Sequence, residues 1–155
     1  MSYPINYPTP QTANYQEFFG GGTTRDWIKP RGASMVRMLL IGGGAGGRAG
    51  STSAGGTGGG SGAVTEWIGP AIFIPDVLRV SIGAGGASAS AGGNTLVQFQ
   101  QSVSSGGYTL LTANGAASNT AGTASSQNAF GASGIFSSTA GQAGAAVTTA
   151  ITAST

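Results

Sequence analysis

Residues 42 to 62 read GGGAGGRAGSTSAGGTGGGSG, and twelve of these 21 positions are glycine. The tract follows Met35-Val36-Arg37-Met38-Leu39-Leu40-Ile41, the most apolar run of the chain, and leads into Ala63-Val64-Thr65-Glu66-Trp67-Ile68. Glycine loses more entropy on ordering than any other residue, so so dense a tract stays a loop unless backbones must pack where no side chain fits. In polyproline-II geometry the backbone groups all point outward, where neighbouring segments can satisfy them, supplemented by weak Cα–H···O contacts. At a rise of about 3.1 Å per residue such a rod would span at most roughly 65 Å. The strands on either side fix both ends, and loops this long inside compact domains usually have a role. The tract is therefore expected to be a backbone-packing element between two β-strands.

The rest of the composition points the same way. The chain has 155 residues, 30 of them glycine, enough for one domain with arms or tails. Its ten charged residues lie between Glu17 and Arg79, and none occurs from Val80 to Thr155. Ordinary disorder is sustained by charge and solvation, which that half lacks, yet it also has few large apolar groups for a core of its own. It reads as a segment that packs against copies of itself or a partner. A net charge of +2 is too small and dispersed to follow a nucleic-acid backbone. Without cysteine there are neither disulfides nor thiolate metal sites. The N-terminus MSYPINYPTP lacks a basic region followed by an apolar one, and no apolar run approaches the roughly 20 residues of a membrane span. A soluble protein made without an export signal is expected.

Residues 1–23 read as an extended arm, because Pro4, Pro8 and Pro10 bias the chain to polyproline-like conformations. It is either a flexible terminus or a docking arm. Aromatics on a free tail would be a liability whereas buried ones anchor interfaces, which favours docking through Tyr3, Pro4, Tyr7, Pro8, Tyr15, Phe18 and Phe19. Residues 24–118 read as a glycine-rich β domain. Asp26 to Ile28 is a short strand, Lys29-Pro30-Arg31-Gly32 a turn, and Ser34 to Ile41 a strand apolar on both faces and so expected at the centre of a sheet. Val64 to Ile68 alternates, with Trp67 opposite Val64 and Ile68, and Glu66 placed at an edge. Gly69-Pro70 reads as a turn, and Val77 to Ile82, Thr95 to Phe99 and Tyr108 to Thr112 complete the strands. Residues 119–155 are an Ala/Ser/Thr/Gly-rich tail, either disordered or threaded along a subunit interface with Phe130, Ile135, Phe136, Val147 and Ile151 as pegs. Helix signals are missing, and the expected class is all-β: a small glycine-rich sandwich or barrel-like domain with arm and tail.

Chemical motifs fail on physical grounds. Gly42, Gly44 and Gly47 have dinucleotide-fingerprint spacing, which needs a helix to open at the glycines. Nine of the 18 residues from 45 to 62 are glycine, and at about 1 kcal/mol each a helix there costs roughly 9 kcal/mol. No Gly-Lys-Ser/Thr phosphate loop occurs, there is no histidine to act as base, and the four acids are scattered without calcium-loop spacing. Asp26 and Glu66 read as strand-edge solubilisers. Collagen needs glycine at every third position, which is not kept. No catalytic, cofactor-binding or metal-ligating residue is expected, and an enzyme is not expected.

The order of blocks carries a resemblance. Trp27-Ile28-Lys29-Pro30-Arg31-Gly32 opens onto the strand to Ile41 and Gly42-Gly43-Gly44; then come Gly58-Gly59-Gly60-Ser61-Gly62-Ala63-Val64, Val80-Ser81-Ile82-Gly83-Ala84-Gly85-Gly86, Gly92-Gly93-Asn94-Thr95 and Leu111-Thr112-Ala113-Asn114-Gly115. Over residues 24 to 118 this resembles the glycine-rich domain of bacteriophage tail fibre and other virion surface proteins, although Arg48 to Ser53 interrupts the first tract and the tail after Ser118 has no counterpart. The resemblance implies a virion surface location after synthesis in the cytoplasm of an infected bacterium. Two roles compete: a capsid decoration or cement protein that clasps the major capsid protein, and a tail-fibre or adhesin component that touches a host receptor. The short chain, arm and uncharged tail favour decoration, since a receptor-binding tip usually carries a shaft or attachment domain. An ice-binding-type glycine-helix protein would need a more regular repeat. A homo-oligomer, most simply a trimer, with other virion proteins as partners is expected, and neither nucleic acid nor a membrane span.

Overall fold

The computed structural model describes residues 14–51, 55–99 and 107–145. Seven strands form two antiparallel sheets. In chain order they are β1 (Thr24–Ile28), β2 (Met35–Ile41), β3 (Val64–Pro70), β4 (Val77–Ser81), β5 (Thr95–Phe99), β6 (Tyr108–Ala113) and β7 (Ile135–Thr139). The first sheet has the order β1-β4-β5-β6 and the second β2-β3-β7. The sheets face one another across a core of Leu40, Trp67, Ile74, Leu78, Val97 and Leu111, the arrangement of a small β-sandwich. The chain is all-β, as the absence of helix signals in the sequence indicates.

Alternation selects the residues that fill this core. Trp67 and Thr65 of β3 and Leu40 of β2 point inward, and their chain neighbours Glu66, Leu39 and Ile41 point away. Trp67 is fully buried, stacked on Phe130 with ring centroids 4.6 Å apart. Its indole fits because two positions beneath it lack side chains. A Cβ on Gly69 or Gly134 would lie 2.4 Å or 2.6 Å from the ring. Gly32, with φ at +80°, closes the turn between β1 and β2 in the left-handed region that glycine alone enters freely.

Three expectations are corrected. β2 is an edge of its sheet and not a centre, because among the described residues it pairs only with β3. Its two-sided apolarity reflects one face in the core and another left exposed. Conversely, β3 is the central strand, so Glu66 is not at an edge. Gly69 and Pro70 end β3, and the chain turns at the 3-10 turn Ala71–Phe73 that follows.

The domain does not stop at Ser118. β7 pairs with β3 along Val64↔Thr139 to Ile68↔Ile135, and the Ala129 amide bonds the Leu110 carbonyl at the edge of β6. Residues 119–145 are therefore packed against the chain's own sheets. A sequence window sees few large apolar residues there and misses that two of them, Phe130 and Phe136, complete a core begun elsewhere.

Candidate functional site

Where the strands leave the sandwich, they continue as glycine segments. The amides of Gly42, Ala45 and Arg48 donate to the carbonyls of Ala63, Gly60 and Thr57. Those of Gly43 and Gly46 donate to Gly93 and Ser90, while the carbonyls of Gly44 and Gly47 accept from Gly86 and Ala89. Each neighbour is thus met at every third residue. A β-strand would repeat every two residues, whereas a polyproline-II helix repeats every three, so the segment is a threefold rod with a partner on each side. The returning segment behaves alike, since Gly58 and Ser61 donate to Ala145 and Gln142 on one side, and Gly60 and Ala63 to Ser118 and Asn114 on another.

The tract is therefore the backbone-packing element its composition demands, with one correction. It does not run out as a single rod but doubles back, with Arg48 and Thr57 paired as an antiparallel bridge. Residues 115–122 and 141–144 supply further segments of the same bundle, through Gly115, Gly122, Gly141 and Gly144. None of the bundle glycines takes a left-handed angle, so here glycine is needed for space and not for conformational freedom. A Cβ on Gly59 would sit 1.9 Å from the Ala45 oxygen, and one on Gly46 only 1.8 Å from the Ala87 oxygen.

Between sandwich and bundle lies a layer of small hydroxyls. The Thr65 hydroxyl, fully buried, donates to the Thr112 carbonyl at 2.8 Å. It accepts in turn from Ser138, whose oxygen receives the Ser125 amide. The Thr95 hydroxyl likewise donates to the Ile41 carbonyl on the other sheet and accepts the Gly83 amide. Packed sheets stand about 10 Å apart where large side chains interdigitate. One hydroxyl bridges the narrower gap, and no side chain at all lets the two backbones bond directly.

Charge is arranged as cross-strand pairs. Arg79 of β4 holds Asp26 of β1 at 3.2 Å, Lys29 holds Asp76 at 2.8 Å, and Arg37 of β2 holds Glu66 of β3. The Lys29 ammonium keeps the Asp76 carboxyl below its usual value, first by hydrogen bonding and then by charge. Glu17 accepts the Tyr15 hydroxyl, which raises the Tyr15 pKa. Asp26 and Glu66 do not meet; each is committed to an arginine. Gly42, Gly44 and Gly47 open no helix, their backbone being engaged with other glycine segments. Among the described residues no group of three or more His, Cys, Asp or Glu is placed to hold a metal, and no helix is long and apolar enough to cross a membrane.

The sequence profile of the glycine-rich domain family matches residues 18–154. The chain belongs to the glycine-rich domain family. In this glycine-rich domain the match runs through the segments after Ser118, in keeping with their place in the bundle. No curated protein and no solved structure matches the chain.

Of the arm residues singled out, Tyr15 and Phe19 are exposed and Phe18 is half-buried, while Tyr3, Pro4, Tyr7 and Pro8 lie outside the described residues. Of the tail residues, Phe130 and Phe136 pack on the domain's own core and Ile135 faces outward; Val147 and Ile151 lie outside the described residues. The structure adds a surface that a residue-by-residue reading misses. On the outer face of the second sheet, Met35, Leu39, Ile41, Val64, Ile68 and Ile135 surround the Arg37–Glu66 pair. The apolar second face of β2 is its signal in the sequence, a pattern that burial inside a sheet would also produce.

Proposed function

We propose that this glycine-rich domain is a structural protein of a bacteriophage particle surface, most simply a decoration protein that docks on the major capsid protein through its N-terminal arm. The observation that carries the structural part of this reading is the bundle itself. Backbone bonded to backbone on every side yields a stiff element whose material is the main chain. Among the described residues Asp26, Glu66 and Asp76 are each paired with a basic side chain from a neighbouring strand or its end, which supports a structural use of these acids. The virion part is supported by the order of blocks from Trp27 to Gly115.

Quantitative copy number in purified particles tests the reading. Hundreds of copies fit decoration, a few to tens fit a fibre or tail component, and absence from particles sinks both. Deletion of residues 1–20 is expected to abolish incorporation while leaving the β domain folded; normal incorporation would count against the arm as the docking element. The fibre or adhesin alternative draws support from one feature. The turns at residues 87–90 and 117–120 lie at the end of the bundle away from the sheets, bonded to its rods through Gly47 and Gly60. Turns held on a stiff scaffold can vary, as recognition loops do, without disturbing what carries them.

A further inference from the structure

The outer faces of the two sheets differ more than the fold requires. On the first sheet most outward positions of paired strands are polar: Thr24 faces Ser81, Asp26 faces Arg79 and Gln98 lies beyond, while the end pair Ile28 and Val77 is apolar and exposed. On the second, five apolar side chains, Met35, Leu39, Ile41, Val64 and Ile135, are between 39% and 74% exposed. The only charges there, Arg37 and Glu66, neutralise one another. We propose that this face is the contact between two copies of the chain, packed sheet on sheet about a two-fold axis.

Area and charge together select a second copy as the occupant. At the about 100 Å² that a Leu-sized side chain hides on full burial, the five residues offer roughly 300 Å² of apolar surface. A standard interface buries about 800 Å² per partner, slightly over half of it non-polar, so the face supplies most of that share. A nucleic acid or an acidic partner would need a net positive face, and this one is neutral. Its single pair is self-complementary. Register sets Arg37 opposite Ile68 and Leu39 opposite Glu66, so the ion pair spans one diagonal of a rectangle about 4.8 Å by 6.8 Å and Leu39 and Ile68 the other. A half-turn about the Leu39–Ile68 diagonal brings Arg37 of one copy beside Glu66 of the other, within reach of its long side chain, and the reverse. Leu39 then lies on the axis and meets Leu39 of the second copy. With a formal net charge of only +2 per chain, repulsion between copies is weak. The inference does not depend on the virion reading.

Sedimentation equilibrium on the full chain tests it. The expected result is a mass that climbs with concentration toward twice the monomer, and that stays monomeric at all concentrations in Leu39→Lys and in Ile135→Lys, with the melting temperature of the dilute, monomeric wild type. A second measurement uses the lack of native cysteine. A short bismaleimide should join Leu39→Cys copies into a covalent dimer and leave Thr24→Cys, on the opposite sheet, as monomer. A monomeric wild type at every concentration, association that survives both lysine variants, or equal cross-linking at Thr24→Cys would overturn the proposal.

Discussion

In one half of the molecule Trp67, Leu78 and Leu111 hold two sheets apart; in the other, the same chain segments run on without side chains and the sheets bond to each other. The first half is stabilised by apolar area removed from water and tolerates adjustment, since side chains can shift rotamer. The second is stabilised by satisfied backbone groups in close contact, where nothing can move except the main chain. Thr65 and Thr95 sit at the border and belong to both regimes. The difference teaches that a methyl group can matter more than an indole, depending on which half receives it.

Five substitutions break or sharpen that contrast. The largest effect is expected from Gly59→Ala, whose new methyl would overlap the Ala45 carbonyl. A loss of about 4 kcal/mol or more, or failure to fold, should appear in urea unfolding. Gly85→Ala is the matched control, since the nearest atom to its Cβ would be 3.8 Å away. It should change stability by less than about 1 kcal/mol, in the stabilising direction if the unfolded chain is restricted. Equal effects at the two sites would end the account of the bundle as a packing of backbones.

Next comes Trp67→Ala, which empties the centre of the sandwich under Phe130. It is expected to cost about 3–5 kcal/mol by the same measurement. Thr65→Val keeps the shape but removes a hydroxyl that links Thr112 to Ser138. A buried carbonyl left unpaired costs about 1–3 kcal/mol, and a neutral outcome would mean the border layer works by size alone.

The smallest effect concerns pH. The Asp76 carboxyl has its folded pKa below the usual value of a free aspartate. Its pairing with Lys29 thus contributes stability that is complete above the unfolded value and is lost as pH falls through the lowered folded one. Asp76→Asn should leave stability near neutral pH slightly reduced and remove this part of the acid limb. An unchanged acid limb in thermal melts would show that the exposed pair is structurally idle.

Much of this architecture was legible locally. Alternation at Val64 to Ile68 marked the inward face of β3, and the β1–β2 turn followed from Pro30 and Gly32. The packing role of Gly42 to Gly62 followed from composition alone, because a helix there is too costly and the ends are fixed by strands. Less legible was the segment after Ser118. Ile135–Thr139 has only two large apolar residues, and its strand character comes from the partner β3 offers it. β2 misled for the opposite reason. Its pattern is that of a buried central strand, whereas it stands at an edge with one apolar face uncovered.

By itself the sequence determined where strands could form and where no side chain would stand between backbones, since both depend on residue type and spacing. Only the tertiary structure decided which backbones meet. Ser61 bonds Gln142, 81 residues away, and Thr65 joins Thr112 and Ser138. A glycine offers the same two groups to any neighbour on any of its threefold sides, so the choice among neighbours is made by the sheets that carry the segments together.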